Sequence, residues 1–205
     1  MKLKNKIRGA LSCFVLLASG LSQATPIIGG AGLVAPSNDI DFTEIVLSNS
    51  TALTDQYSRL GVSFSGVFYN GCPNCVLTQP TGAKPDIGNF ANSATGSFTS
   101  TTTIDFTNDV TAASFSWAAN GGTYTLASFL NGNAVESFTF SGSTWQTYGF
   151  TGSLFDQISI TTPAAMLIDN LKFNTADVPE PASLALLGLG LLGLGFSRSK
   201  KQKTA

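Results

Sequence analysis

The chain has 205 residues, a formal net charge of −1 and no histidine. The lack of histidine excludes Ser-His-Asp and Cys-His nucleophile systems, and with them the imidazole ligands typical of zinc, copper and non-haem iron. Between Thr25 and Pro181, three basic residues stand against all 12 acidic ones, a net charge of −9. We therefore expect no nucleic-acid partner, because phosphate binding needs a basic surface.

The chain begins with a pattern typical of a secretory signal peptide, which we assign to residues 1–24. A basic start precedes an apolar run from about Ala10 to Ala18, and Ser22-Gln23-Ala24 forms a small-x-small cleavage site before Thr25. Signal peptidase and the secretion machinery are the partners that this pattern implies. The alternative is a buried N-terminal helix. The basic residues are Lys2, Lys4, Lys6 and Arg8.

Residues 25–177 predict one all-β domain of β-sandwich type. The segment is rich in Thr, Ser, Gly and Phe, and it shows no sustained helical period. It opens with a loop from Thr25 to Asn38, and Asn120-Gly121-Gly122 and Asn131-Gly132-Asn133 are typical of hairpin turns. The predicted strands are Ile40–Ser48, Leu60–Tyr69, Ser97–Phe106, Val110–Ala118, Tyr124–Leu130, Val135–Phe140, Trp145–Phe150, Asp156–Thr161 and Ala165–Phe173.

A long irregular stretch from Asn70 to Asn92 is typical of a binding loop and contains a close cysteine pair. Cys72 and Cys75 have the spacing of redox motifs but lack the strand-to-helix setting that such motifs need. Export favours a local disulfide between them, and a reactive thiol pair is the alternative.

Exposed aromatic rings would be the means of binding a sugar, since rings stack on sugar faces while amides read hydroxyl groups. Tyr69, Trp145 and Tyr148 are the candidates for such contacts, with Asn70, Asn74 and Asn89 as nearby amides. Trp117 alternates with apolar neighbours, so we expect it in the core.

The last 28 residues, 178–205, combine three elements that together are typical of a targeting signal. Val178-Pro179-Glu180-Pro181 is extended by its two prolines, an apolar run follows from Ala182 to Phe196, and a basic end closes the chain. As a helix the run rises only about 22 Å, which is short for a bilayer core of roughly 30 Å. It predicts a weakly anchored transmembrane helix with a cytoplasmic basic end. A plain C-terminal anchor is the alternative.

This tail resembles the PEP-CTERM sorting signal of Gram-negative bacteria. The resemblance implies that an exosortase recognises Pro179, Glu180 and Pro181 as substrate residues and removes the tail. It also implies a host that makes extracellular polysaccharide. Residues 53–64 are similar to an early block found in many passenger domains that carry this signal.

The segment 167–173 is similar to the closing strand of carbohydrate-binding jelly rolls, which makes the expected fold jelly-roll-like. In such modules oxygen ligands from the first and last strands converge, which implies a calcium site formed by Asp41, Glu44, Asp169 and Asn170. A hydrolase with paired carboxylates is a further alternative. Its candidate residues are Asp39, Asp41, Glu44, Asp105, Asp109, Asp156 and Asp169.

Together these patterns predict an exported cell-surface or extracellular-matrix protein that is not an enzyme and associates with polysaccharide. The precursor is expected to span the inner membrane transiently through its C-terminal helix, and the mature form to lie outside the cell. The alternatives are a calcium-assisted carbohydrate-binding module and a carbohydrate-active hydrolase.

Overall fold

A computed structural model of the protein describes residues 24–71, 89–93, 100–119, 121–142 and 144–176, and these residues form an all-β body without an α-helix. The predicted fold class is confirmed. The predicted signal helix and transmembrane helix lie outside the described residues. The strands are β1 (Thr25–Ile28), β2 (Asn38–Ile40), β3 (Val62–Ser65), β4 (Val67–Asn70), β5 (Phe90–Ser93), β6 (Ser100–Ala119), β7 (Thr123–Leu130), β8 (Asn133–Ser141), β9 (Gln146–Thr162) and β10 (Met166–Thr175), with one 3₁₀ turn at Ser58–Leu60.

The described strands form one antiparallel hydrogen-bonded network. Its main path runs β4-β5-β10-β6-β9-β7-β8. Three short strands lie off this path: β1 pairs with β9, β2 with β10 and β3 with β6. The two longest strands, β6 and β9, are therefore central.

The two halves of β6 and β9 have different neighbours. The first half of β6 pairs with the last part of β9, and its second half pairs with Gln146–Thr151, with a register shift between Asp105 and Val110. The outer edge of β9 carries β7 at one end and β1 at the other. The sequence predicted two separate strands in the region of β6 and two more in the region of β9. The structure corrects both predictions, because β6 and β9 are each one continuous strand.

Aromatic contacts show that the network folds over on itself into two layers. The ring of Phe140, in β8, lies 4.8 Å from Trp117 in β6 and 4.0 Å from Tyr148 in β9, measured between centroids. Since β8 does not pair with β6 or β9, these rings meet across a core between two layers of strands. This is the packing of a β-sandwich.

A second aromatic cluster fills the other end of the core. Phe42, Tyr57 and Phe64 have centroids 5.5 to 5.9 Å apart, and the buried Asn89 ties this region together by donating from Nδ2 to the carbonyl of Phe42 at 3.1 Å. Burial, reinforced by the charge of Glu44, raises the pKa of Tyr57.

The structure corrects two predictions about residues 25–48 and confirms the predicted hairpin turn at Asn131 and Gly132. Residues 25–28, predicted as loop, form β1 along β9, while the strand predicted from Ile40 to Ser48 ends at Ile40. Phe42 has φ 62°, a value that breaks a strand. Asn131 and Gly132 have φ 51° and 77° between β7 and β8, as a two-residue hairpin turn requires.

The sheet ends close to the last described residue. After β10, the amide of Ala176 donates to the carbonyl of Asp109 at 2.8 Å. The backbone is thus held in the network up to residue 176. The domain limits predicted at 25 and 177 stay a prediction.

Candidate binding pocket

A cavity of about 570 Å³ lies on the face of the sheet that points away from the aromatic core. It is formed where β6 runs between β9 and β10, and the loop after β1 closes one side. Its walls are Ile28 to Ala31, Ser114 and Ser116, Trp145 to Thr147, and Asn170 with Lys172.

The floor of the cavity follows from the alternation of side chains along β6. Phe115 and Trp117 are fully buried in the core, so Ser114 and Ser116 between and beside them lie on the opposite face. These two serines are themselves buried. β6 therefore provides small polar groups beneath a cavity instead of bulky apolar ones.

A β-bulge in β10 shapes the wall next to Ser116. Asp169 pairs with Ser116 and Lys172 with Ser114, so Asn170 and Leu171 together oppose one residue of β6. Asn170 has φ 50°, a left-handed conformation that asparagine tolerates better than most residues. Its Nδ2 lies 3.5 Å from the hydroxyl of Ser116.

Asp169 directly precedes this bulge in β10 and does not line the cavity. Its side chain is fully buried, and its Oδ1 accepts from the amide of Asn170 at 2.8 Å. The carboxylate thereby helps to hold the bulge.

The glycine-rich loop after β1 is fastened to the floor by three hydrogen bonds. The amide of Gly29 donates to the carbonyl of Thr147 at 2.7 Å, and the hydroxyl of Thr147 donates to the carbonyl of Gly30 at 3.1 Å. The amide of Leu33 donates to the hydroxyl of Ser114 at 3.0 Å. A Cβ at Gly32 would lie 2.7 Å from that hydroxyl oxygen, so only glycine allows this close approach.

Trp145 provides the aromatic surface of the cavity. Its side chain is partly buried, and its indole Nε1 is shielded from solvent with no acceptor within the described part of the chain. Ile28, also in the wall, is 63% exposed. The cavity thus combines an aromatic ring, an exposed aliphatic side chain and several polar groups.

Lys172 brings a positive charge to the cavity of an acidic protein. Its Nζ lies 3.9 Å from Oδ2 of Asp39, which is a loose ion pair, and the two side chains are 28% and 53% exposed. Among the described residues the other basic side chain is Arg59, which lies in the 3₁₀ turn before β3.

Of the three aromatic residues predicted to contact sugar, the structure places only Trp145 at the cavity. Tyr69 is 0% exposed and Tyr148 is 3% exposed, so neither ring offers a face to a ligand, and the expected exposure is corrected at both positions. Tyr148 stacks on Phe140, and burial raises its pKa. Its hydroxyl donates to Oε1 of Gln146 at 3.0 Å.

The residues predicted to bind calcium are brought to neighbouring strands but form no carboxylate cluster. β2 pairs with β10 up to Ile40 and Leu171, so the loop that contains Asp41 and Glu44 follows directly beside the bulge. Oε1 of Glu44 accepts the amide of Asp41 at 2.9 Å, a bond within this loop. Throughout the described ranges, no three Asp, Glu or Cys side chains are grouped closely enough to hold a metal ion. Calcium binding stays a prediction.

Several of the carboxylates considered for hydrolysis support the backbone or a neighbouring side chain. Oδ2 of Asp105 accepts from the hydroxyl of Thr103 at 2.7 Å, and Oδ2 of Asp156 accepts from the amide of Asn131 at 2.8 Å, next to the β7–β8 turn. Asp39 faces Lys172. These contacts are structural.

Sequence reasoning missed five polar residues of the cavity: Ser114, Ser116, Gln146, Thr147 and Lys172. The serines could have been found, because they alternate with Phe115 and Trp117 and so mark the outer face of the strand. Lys172 could not be placed from sequence, since its position depends on the bulge.

Two other predicted features fall on parts of the chain that are not described, namely Cys72 with Cys75, and the sorting residues Pro179, Glu180 and Pro181. Within residues 24–71, 89–93, 100–119, 121–142 and 144–176, no helix has the length and apolar character to cross a bilayer.

Comparison with known proteins gives distant structural similarity and one specific sequence match. A family 6 carbohydrate-binding module is 14% identical with a TM-score of 0.34, covering 68% of this chain and 94% of its own. The family 11 module of a cellulosomal cellulase of Clostridium thermocellum is 15% identical with a TM-score of 0.32, covering 66% and 100%. A family 29 module is 13% identical with a TM-score of 0.30, covering 78% and 99%.

At these scores the likeness carries no conclusion about what this chain binds. No curated protein matches the chain. The sequence match is to the end of the chain: residues 177–200 fit the model of the PEP-CTERM protein-sorting motif, so the chain carries this sorting signal.

Proposed function

We propose that this protein is an exported, non-catalytic component of the cell surface or extracellular matrix that binds polysaccharide through the cavity at Trp145. An exosortase processes its C-terminal signal after the precursor has been held transiently in the inner membrane. The single observation that carries the binding role is the partly exposed tryptophan beside buried polar groups on the outer face of the sheet.

The destination is supported by both ends of the sequence. Residues 177–200 match the sorting motif, and residues 1–24 have the pattern of a signal peptide. Export brings the acidic domain to the compartment in which extracellular polysaccharide is found.

The binding role is supported by the composition of the cavity. Sugar rings have apolar faces that pack on aromatic side chains and hydroxyl edges that need hydrogen-bonding partners. Trp145 and Ile28 supply apolar surface, while Ser116, Gln146 and Asn170 supply polar groups. A volume of about 570 Å³ is in the range of ordinary small-ligand sites.

A non-catalytic role is supported by the chemistry of the chain. Histidine is absent from the whole sequence, and Asp39, Asp105 and Asp156 contact a lysine, a threonine hydroxyl and a backbone amide. The Trp145 cavity is lined by no carboxylate among the described residues.

Binding is tested by titrating the protein, purified from its host, with a panel of neutral and acidic polysaccharides in a calorimeter. We expect measurable binding to at least one of them, and a loss of about fivefold or more in affinity for Trp145→Ala, because packing of a sugar on one aromatic ring is worth about 1 kcal/mol. Leu154→Ala is the matched control, since Leu154 is 42% exposed and lies outside the cavity. A wild-type protein that binds nothing in the panel, or a Trp145→Ala variant that binds as well as wild type, contradicts the proposal.

Sorting is tested by the mass of the protein recovered from the host with and without its exosortase. We expect a mature protein that starts near Thr25 and ends close to Pro181, and a heavier form that retains the tail when the exosortase is deleted. An unprocessed chain dissolved in the cytoplasm of the wild-type host would exclude the proposed route.

A further inference from the structure

Most strands at the edges of the sandwich are covered or short. The segment between β2 and the 3₁₀ turn covers both β3 and β4. The amide of Phe64 donates to the carbonyl of Thr54 at 2.8 Å, and the amide of Leu53 donates to the carbonyl of Val67 at 2.9 Å. β1 and β2 have four and three residues, and β1 contains Pro26, which has no N–H to offer a further strand. These four strands therefore offer little to another chain.

β8 is the long open edge of the described structure. It has nine residues, and within the described ranges its backbone pairs with β7 alone. A register shift lies near its start, and the pairing is regular from Glu136 to Ser141. Natural sheets protect such edges with lysine, proline or inward-pointing charges. β8 has neither lysine nor proline, and its one charged residue is Glu136.

Alternation along β8 shows which backbone groups point away from β7. The amide of Ser137 donates to Oε1 of Glu136 at 3.0 Å, so this N–H is turned away from β7. Because every second residue presents its N–H and C=O to the same edge, Thr139 and Ser141 point outward as well. Among the described residues, the outward groups of Thr139 and Ser141 have no backbone partner. The side chains of all three residues are exposed.

The intervening residues of β8 carry phenylalanine side chains that face the core. Phe140 is buried, whereas Phe138 is only partly buried at the rim of the core. The ring of Phe138 lies 5.7 Å from Phe140 and 5.5 Å from Phe150, measured between centroids. A strand added to β8 would cover the exposed part of Phe138, because paired residues share a face. Burial of this apolar area would favour the addition.

We propose that two copies of this chain pair through β8, antiparallel about a two-fold axis at Thr139, so that one layer of the sandwich continues across the dimer. In this register Thr139 lies opposite its counterpart, and Ser137 lies opposite Ser141 of the second copy. All of these residues point their backbone groups outward, so each pair exchanges two hydrogen bonds. The amide of Ser137 exchanges its bond with Glu136 for one with the second copy. Cross-strand Thr and Ser pairs are favourable neighbours.

A second copy is the partner that the charge pattern of β8 fits. In this register Glu136 lies opposite Gly142 and not opposite another carboxylate. The two Glu136 side chains are then about 20 Å apart along the strands, a distance at which salt screens their repulsion. Since the other edges are covered or short, each chain pairs through one edge and the assembly closes at two copies. The dimer does not depend on polysaccharide binding.

Sedimentation velocity on the mature protein purified from its host, without any glycan, tests the pairing. We expect a reversible change from monomer to dimer as the concentration rises, with a dissociation constant between about 10 μM and about 1 mM, because one pair of strands makes a small interface. Amide hydrogen exchange at Thr139 and Ser141 should slow over the same range of concentration. A protein that stays monomeric at about 1 mM contradicts the proposal.

Charge substitutions at the two-fold axis test the register. Thr139→Lys and Thr139→Glu each place like charges opposite each other and should weaken the dimer by at least about threefold. An equal mixture of the two variants should recover a dimer with one copy of each, since opposite charges then meet. Thr125→Lys is the matched control and should leave dimer formation as in wild type. Thr125 pairs with Thr139 on the same face but lies one strand away from the edge.

The outcomes distinguish this dimer from any other. A dimer that Thr139→Lys leaves unchanged, including one linked through cysteine, forms elsewhere on the molecule and excludes pairing through β8. If both Thr139 variants weaken the dimer but their mixture forms no more of it than either variant alone, the two-fold axis does not lie at Thr139 and the proposal is wrong. Neither result bears on glycan binding, which is measured separately at the Trp145 cavity.

Discussion

The two tryptophans of the domain occupy the two faces of one sheet and have opposite environments. Trp117 is 0% exposed and is surrounded by the rings of Tyr124, Phe140 and Tyr148 at 4.6, 4.8 and 5.5 Å. Trp145 is partly exposed and borders serine, glutamine and lysine side chains. Each has an indole nitrogen that is shielded from solvent and has no acceptor among the described residues.

The difference between them follows from strand parity and not from residue type. Trp117 is in phase with Phe115, whose side chain is in the core, whereas Trp145 is in phase with Thr147 on the outer face. A shielded N–H is a cost in a closed aromatic core, because nothing can enter to accept from it. At the cavity, the exposed part of the Trp145 ring is open to a ligand, whereas its N–H is shielded.

Replacing each tryptophan by alanine is the strongest test of whether the two residues have different roles. Trp117→Ala should lower the free energy of unfolding by about 3–5 kcal/mol, because it empties the centre of an aromatic cluster. Trp145→Ala should lower it by about 1 kcal/mol or less, since a partly exposed side chain loses less packing than a buried one. Urea denaturation followed by tyrosine fluorescence measures both.

Equal costs for the two replacements would contradict the assignment of separate roles. If Trp117→Ala is too unstable to purify, Trp117→Phe keeps most of the ring volume and should remain foldable. It is then compared with Trp145→Phe, which we expect to be close to wild type in stability.

A smaller difference in stability is expected between two buried tyrosines, Tyr57 and Tyr148, when each loses its hydroxyl group. The hydroxyl of Tyr57 has no acceptor within the described chain, whereas that of Tyr148 donates to Gln146 in the pocket wall. Tyr57→Phe should therefore change stability at neutral pH by no more than about 1 kcal/mol in either direction, while Tyr148→Phe should cost about 1 kcal/mol.

The raised pKa of Tyr57, caused mainly by burial, sets the direction of its pH dependence. The folded state favours the neutral phenol, so this contribution to stability is fully present below the unfolded pKa of about 10 and is lost as the pH rises above it. Thermal denaturation between neutral and strongly alkaline pH should show a smaller loss for Tyr57→Phe than for wild type. An identical alkaline loss in both proteins would show that this tyrosine does not limit stability.

The sequence predicted the all-β class and the inward position of Trp117 because both depend on local alternation. The same alternation places Tyr148 in phase with Phe150 and Tyr69 in phase with Val67, and all four are buried. The prediction that these two tyrosines are exposed was based on their being aromatic. It did not take into account which face of the strand their positions occupy.

Other features could not be predicted because they depend on pairing between distant segments. The bulge at Asn170 exists only relative to β6, and β1 is a strand only because β9 is beside it. The cavity combines four segments, from residue 28 to residue 172, which only the folded sheet brings together. Trp145 was identified as a candidate from its residue type. The residues that line the cavity with it, apart from Asn170, were not identified.

The hydrogen bond from Ala176 to Asp109 holds the backbone in the sheet almost to the start of the sorting signal. The matched signal begins at residue 177, and Pro179 is only three residues beyond the last held amide, a reach of at most about 11 Å in a fully extended chain. In the sequence, only Asp177 and Val178 lie between Ala176 and Pro179. The edge of the sheet that contains Asp109 is therefore within about 11 Å of the sorting residues along the chain.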